Sequence, residues 1–188
     1  MRPGECEGEM LRRLAWTPLL DRLEMVCVSG WSRTAVYEAV RRLEGGDFVA
    51  SIPHAADLTP PTRRYFLTPD GLLRLAVEEK TTVDGLLRSR PVSAEWRRIL
   101  LERLDAIAVI YRLASSIANA GDHPVRLRLY RARPLDAAVT LPGDRAVGIV
   151  RQGPAADRTA FSKRLWRLGE GPLPGMVLVL AHPLNLLE

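Results

Sequence analysis

The chain has 188 residues, 47% of them hydrophobic, with 27 basic against 22 acidic side chains and a formal charge of +5. That is enough for one compact domain or two small ones, and the absence of any run of about 18 uncharged apolar residues excludes a membrane-spanning helix. The two cysteines, Cys6 and Cys27, form no Cys-x-x-Cys or Cys/His cluster, which argues against a zinc site.

The N-terminal residues Met1 to Glu9 are acidic and polar, unlike a secretory signal, so a cytoplasmic protein is expected. Residues 8–16 read as a first helix with Met10, Leu11 and Leu14 inward. Thr17-Pro18 is a cap followed by proline at the first helical position, which predicts a second helix running to about Met25 with Leu19, Leu20 and Leu23 apolar. Cys27 lies in the apolar run Met25 to Val28 and reads as a small core residue. Val26 to Gly30 is a short connection.

Ser32 is a natural N-cap, because its hydroxyl can accept from the free N–H groups of a first turn. A third helix, Arg33 to Glu44, follows. Val36, Val40 and Leu43 give it one apolar face, while Arg33, Thr34, Tyr37, Glu38 and Arg41 fall mostly on the other. Gly45-Gly46 is expected to supply the positive φ that ends it. Phe48, Val49 and Ile52 open a strand, and Arg63 to Leu67 return antiparallel to it. His54 to Pro61 forms the tip of this ribbon.

Thr68-Pro69-Asp70-Gly71 starts a fourth helix by the cap-plus-proline device. Val83, Leu86 and Leu87 fit a broken continuation, and Ser89-Arg90-Pro91 marks a domain boundary. Ser93 then caps a long helix from Ala94 to about Ala120, whose apolar positions spread around more than one face. Beyond Pro124 the period changes. Val125, Leu127 and Leu129 alternate with Arg126, Arg128 and Arg131, a strand with one wet, basic face. Leu135 to Leu141 and Arg145 to Val150 are further strands around the turn Pro142-Gly143-Asp144. A helix from about Ala160 to Leu168 and a buried strand from Met176 to Ala181 complete the chain. The fold class is therefore α+β: an N-terminal winged helix-turn-helix over residues 1–90, then a small α/β domain with a mixed sheet over residues 91–188.

Three helices and a β-ribbon suit double-stranded DNA. The major groove admits a helix and displays a distinct donor/acceptor pattern for each base pair, and a ribbon tip can follow the backbone. Ser32 and Thr34 can hold phosphate at the helix N-terminus. Arg33, Tyr37 and Arg41 can reach base edges or phosphates, and Arg63 and Arg64 stand at the foot of the wing. Lys80 and Lys163 are the only lysines, and the planar fork of arginine suits phosphate and guanine. Residues 1–90, however, hold thirteen basic and thirteen acidic groups, so the reading rests on where the arginines sit. The same residues also fit a solvated helix face, and a winged helix can hold a protein partner instead.

The pattern Ser32-x-x-x-Val36-x-x-x-Val40-Arg-Arg-Leu-Glu-x-Gly46-x-Phe48-Val, followed by Arg64-Tyr-Phe-Leu-Thr-Pro-Asp-Gly71, resembles the winged helices of MarR- and PadR-like bacterial regulators. The whole chain resembles the replication-relaxation family of plasmid and mobile-element proteins, in which a winged helix precedes a degenerate restriction-endonuclease-like domain. The resemblance covers residues 8–80 well and 94–181 weakly, and it implies duplex DNA as partner. Endonuclease chemistry needs an Asp on one strand and a Glu-x-Lys pair on the next, converging on a metal. Asp136 matches the first carboxylate, but Ile149 stands at the Glu position and Arg151 at the Lys position. One carboxylate is a poor site for a hard divalent cation, so a non-catalytic domain without cofactor is expected. The alternative for Asp136 is a turn or strand-edge residue paired with an arginine such as Arg133. His54, His123 and His182 read as isolated. The apolar faces of the long helix could form a homodimer interface, which would suit palindromic half-sites.

Overall fold

The computed structural model describes residues 3–55, 61–131, 135–151, 158–169 and 176–180. The chain divides into two compact units, Met1–Pro124 and Val125–Glu188. Among the described residues no helix is long and apolar enough to cross a membrane.

In the first unit, α1 (Pro3–Trp16) begins earlier than its apolar pattern suggests. Glu5 in its first turn complements the helix dipole, and Cys6, Met10, Leu11 and Leu14 are buried along one face. Glu7 ties this helix to the rest, accepting from Arg42 Nε at 2.7 Å and Arg74 Nη2 at 2.9 Å.

Thr17-Pro18 does not start a helix. The Thr17 hydroxyl donates back to the Arg13 carbonyl at 2.7 Å and closes α1. Leu19 and Leu20 then pair with the ribbon: Leu19 N–H donates to the Tyr65 carbonyl and Tyr65 N–H to that of Leu20. The second helix, α2 (Arg22–Ser29), starts four residues later than Pro18 because Asp21 and Glu24 form a reciprocal capping box, which satisfies two end groups at once. Gly30, at φ 72°, caps its end.

Helix α3 (Arg33–Gly45) takes its cap from Ser32, whose Oγ accepts from Ala35 N–H at 3.3 Å. Val36, Ala39, Val40 and Leu43 are buried. Its end departs from expectation: Gly46 has φ −97°, and the left-handed residue is Asp47 at φ 57°, one of the residue types whose short polar side chain tolerates that region. Strands β1 (Val49–His54) and β2 (Thr62–Leu67) pair antiparallel from Val49↔Leu67 to His54↔Thr62. His54 thus belongs to the strand. Residues 56–60 of the expected tip lie outside the described residues.

Thr68 caps α4 (Pro69–Glu78) as its sequence suggests, its Oγ1 accepting from Gly71 N–H. Gly71 packs so closely that a Cβ there would lie 1.9 Å from the Phe48 carbonyl oxygen. A short α5 (Val83–Ser89) follows. The expected long helix is two, α6 (Ala94–Glu102), capped by Ser93, and α7 (Leu104–Gly121), broken at Arg103 with φ −122° and ψ 27°. The break resolves the apolar pattern that ran around more than one face, because each segment buries its own stripe, Leu100 in α6 and Ile107, Ile110, Tyr111 and Ala114 in α7. Helix α7 packs on α2, and the Tyr111 hydroxyl donates to the Pro18 carbonyl. The boundary therefore falls after Pro124, not at residue 90, since these long-range contacts bind the later helices into the first unit.

The second unit contains β3 (Arg126–Leu129), β4 (Ala137–Thr140), β5 (Ala146–Arg151), α8 (Arg158–Gly169) and β6 (Met176–Leu180). Its sheet order is β3-β4-β5-β6, antiparallel except for the parallel β5–β6 pair that α8 connects. Leu127 and Leu129 are buried while Arg126 and Arg128 are exposed, the alternation expected of a strand wet on one face. Strand β6 is less buried than its apolar run predicts, with Met176 55% and Val179 46% exposed, and among the described residues it stands at the edge of the sheet.

Candidate nucleic-acid interface

The outer face of α3 carries Ser32, Arg33, Thr34, Glu38 and Arg41 exposed, with Tyr37 half-buried between them. The 3.6-residue repeat aligns positions 33, 34, 37 and 41 along one side. Arg33 stacks over the Tyr37 ring at 5.2 Å from its centroid. Arg41 is exposed and has no ion-pair partner among the described residues. Its neighbour Arg42 is occupied, pairing with Glu7 at 2.7 Å and with Glu38 at 3.7 Å.

Arg63 stands on the wing, and a chain of polar contacts fixes it beside the end of α3. Its Nε and Nη2 donate to Ser51 Oγ at 2.9 and 2.7 Å. Ser51 in turn donates to Glu44 at 2.7 Å, and Arg63 lies 3.7 Å from the same carboxylate. These contacts tie Arg63 to the C-terminal end of α3, whose outer face carries Arg33 and Arg41; its pairing with Pro53 puts it toward the tip end of the ribbon rather than at the foot.

Arg64 does not stand at the surface. It is fully buried, turned to the side of β2 opposite Arg63, where α2 and β1 supply its partners. Its Nη1 meets Glu24 and the Leu19 carbonyl, and its Nε donates to His54 Nδ1 at 3.4 Å. His54 Nε2 lies 2.9 Å from Asp105 Oδ1. His54 is therefore not isolated but part of a chain, Glu24–Arg64–His54–Asp105, that joins α2, both wing strands and α7. Burial pushes the Glu24 carboxyl up to about 7, with the Arg64 cation pulling the other way. Burial likewise drives the Tyr111 hydroxyl well above its ordinary value, and the charge of Glu24 adds to this.

Arg22 is a residue the sequence reading passed over. It lies over both Tyr37 and Tyr65, at 5.5 and 5.3 Å from the ring centroids, and 3.5 Å from Glu44. The signal was present: the Asp21-x-x-Glu24 capping box makes Arg22 the first residue of α2, on the turn that approaches α3.

In the second unit, Asp136 is held rather than open. Its Oδ2 accepts from Arg151 N–H at 2.6 Å and lies 2.7 Å from Arg164 Nη2, while Arg164 Nη1 donates to the Arg151 carbonyl at 3.2 Å. The arginine on Asp136 is thus Arg164, from α8; Arg133 lies outside the described residues. No group of three or more His, Cys, Asp or Glu side chains positioned for a metal occurs among the described residues. His123 is exposed, and His182 lies outside the described residues. Cys27 is only partly buried.

No family model and no curated protein matches the sequence. Among solved structures, the chain is similar to that of the transcriptional regulator SlyA, with a TM-score of 0.34 and 16% identity over 61% of this chain and 78% of that one.

Proposed function

We propose that this chain is a non-enzymatic protein that binds double-stranded DNA through α3 and the wing, as a transcription regulator or a plasmid replication or mobilisation factor of the replication-relaxation type. The observation that carries the reading is the exposure of Arg33 and Arg41 on a capped helix, with Arg63 strapped to the end of that helix through Ser51 and Glu44. Arginines so placed can reach phosphates or guanine edges. Ser32 and Thr34 at the helix N-terminus add hydroxyls where an anion is favoured. Arg64 supports the wing from within.

The second unit enters this proposal as a degenerate endonuclease-like domain. Its one matching carboxylate, Asp136, is committed to Arg164 and to the Arg151 amide, and Ile149 and Arg151 stand where further catalytic groups would be needed. A homodimer would place two helices on two half-sites.

A second reading, a winged-helix module that holds a protein partner, is favoured by Leu73 and Val77, which stand 56% and 72% exposed one turn apart on α4. Fluorescence anisotropy with a labelled duplex separates the two. Saturable binding that weakens about tenfold or more in the Arg33→Ala/Arg41→Ala variant, a loss of at least 1.4 kcal/mol, supports the DNA reading. No binding at low salt overturns it in favour of the protein partner.

A further inference from the structure

The whole excess of positive charge lies in the second unit. Residues 125–188 hold ten basic against five acidic side chains, which is the +5 of the entire chain, whereas residues 1–124 hold seventeen of each. A small unit so charged attracts polyanions. Of its acidic groups, Asp136 is already held by Arg164, while Arg126, Arg128, Lys163 and Arg167 are exposed.

The sheet register brings these cations to one face. Arg128 pairs with Ala138 and Ala138 with Gly148; Arg126 pairs with Thr140 and Thr140 with Ala146. Paired residues point to the same side of a sheet. The Leu141–Arg145 hydrogen bond turns the peptide groups of Val147 and Ile149 toward β4 in turn. With β4 on that side, a right-handed β5–α8–β6 crossover lays α8 over the face of Gly148 and Val150, and Val150 is fully buried. The same face therefore carries α8 above β5 and β6, and Arg126 and Arg128 on β3. Strand β3 stands two strands from β5, about 10 Å away, across a floor of the small residues Ala138 and Thr140. On α8, Lys163 and Arg167 lie next to Arg164 around the helix, and Arg164 reaches toward the start of β4. They line the flank that faces β3, so a trough runs between two basic walls.

Both walls also carry an aromatic ring. Trp166, on the crest of α8 between Lys163 and Arg167, is 76% exposed, although tryptophan is normally among the more buried residues. Tyr130, at the end of β3, is 37% exposed with Arg128 over its ring at 5.5 Å. Exposed rings beside cations suit unpaired bases, which stack on the ring while their phosphates meet the charges. A duplex keeps its base faces inside its own stack. A membrane-surface helix needs a broad apolar outer face, and Ser162, Lys163 and Arg167 around Trp166 are polar.

We propose that this trough binds single-stranded DNA, with phosphates on Arg126, Arg128, Lys163 and Arg167 and a base stacked on Trp166. The choice of DNA over RNA rests on the duplex reading of α3 and the wing; occupancy of the trough by a single strand does not.

The test uses the full chain and a fluorescein-labelled oligo(dT) of about 15 nucleotides, enough to cross a small domain. At about 50 mM salt, anisotropy should show saturable binding with a dissociation constant of about 1–100 μM. Unlabelled oligo(dT) should displace the probe, and polyglutamate of equal charge should be about tenfold worse or more, since it has no bases to stack. Trp166→Ala, Arg126→Glu and Lys163→Glu alter exposed positions. Each should leave the thermal melt unchanged while weakening binding about tenfold, and Trp166→Tyr should retain most of the affinity. Arg33→Ala/Arg41→Ala should leave oligo(dT) binding unchanged, which separates this site from α3 whether or not duplex DNA binds there. Absence of saturable binding, displacement by polyglutamate as effective as by oligo(dT), tighter displacement by oligo(rU), or wild-type affinity in Trp166→Ala would each overturn the proposal.

Discussion

Replacing Arg64 by methionine tests the buried chain that holds the wing. The substitution keeps the volume roughly constant but removes the cation, leaving the Glu24 carboxyl 4% exposed with no charge opposite. Removing one partner of a buried ion pair costs about 3–5 kcal/mol. The cost depends on pH in a definite direction. In the wild type, burial raises the Glu24 carboxyl from 4.5 to about 7. A group raised in the folded state stabilises the fold fully below its unfolded value, and that contribution is lost as pH rises through the folded value. For Glu24 the loss between 4.5 and 7 amounts to roughly 3 kcal/mol. Without Arg64 the carboxyl rises further, so the variant goes on losing stability above pH 7. Urea unfolding followed by far-UV circular dichroism at about pH 5.5 and about pH 8 measures this. Arg64→Met should be destabilised by about 3 kcal/mol or more at the higher pH and by less at the lower. The Glu24→Gln/Arg64→Met double variant should recover most of the loss, because the amide keeps the cap on Asp21 N–H while no unpaired charge stays buried. A single variant within about 1 kcal/mol of wild type at the higher pH, or a deficit that grows on acidification, would refute the reasoning.

Gly71→Ala should destabilise the first unit by about 2 kcal/mol or more, seen as a lowered melting temperature, because the added Cβ meets the Phe48 carbonyl at 1.9 Å and a backbone atom cannot swing away. Asp136→Ala and Arg164→Ala should each lower the stability of the second unit, and their double variant should cost less than the sum, since both break one contact. Arg41→Ala should leave the unfolding free energy from urea titration within about 0.5 kcal/mol of wild type while weakening duplex binding, which separates a binding role from a folding one.

The parts of this fold that were legible in the sequence are those with strong local signals. Ser32 before a 3.6-residue apolar repeat located α3 and its exposed face, and Thr68-Pro69 located α4. The start of α2 was misread because two local signals competed, and the losing one, Thr17-Pro18, lies where Leu19 and Leu20 are drawn into pairing with Tyr65. Arg64, expected at the wing surface beside Arg63, is drawn inward to α2 instead. Its true partner, Glu24, is forty positions away, and no spacing rule reaches that far. The domain boundary was set at Pro91 for a similar reason. A proline marks a local break, whereas the packing of α7 on α2 and the Tyr111–Pro18 contact are long-range.

The salt dependence of duplex binding is the most direct test of the central proposal. Each phosphate neutralised releases condensed counterions, so log K falls against log salt with a slope of about −0.9 per contact. Three exposed arginines predict a slope of about −3 or steeper for the wild-type chain, reduced by about one unit in each of Arg33→Ala, Arg41→Ala and Arg63→Ala. A slope near zero, or no binding at about 50 mM salt, would contradict the assignment of α3 and the wing to DNA.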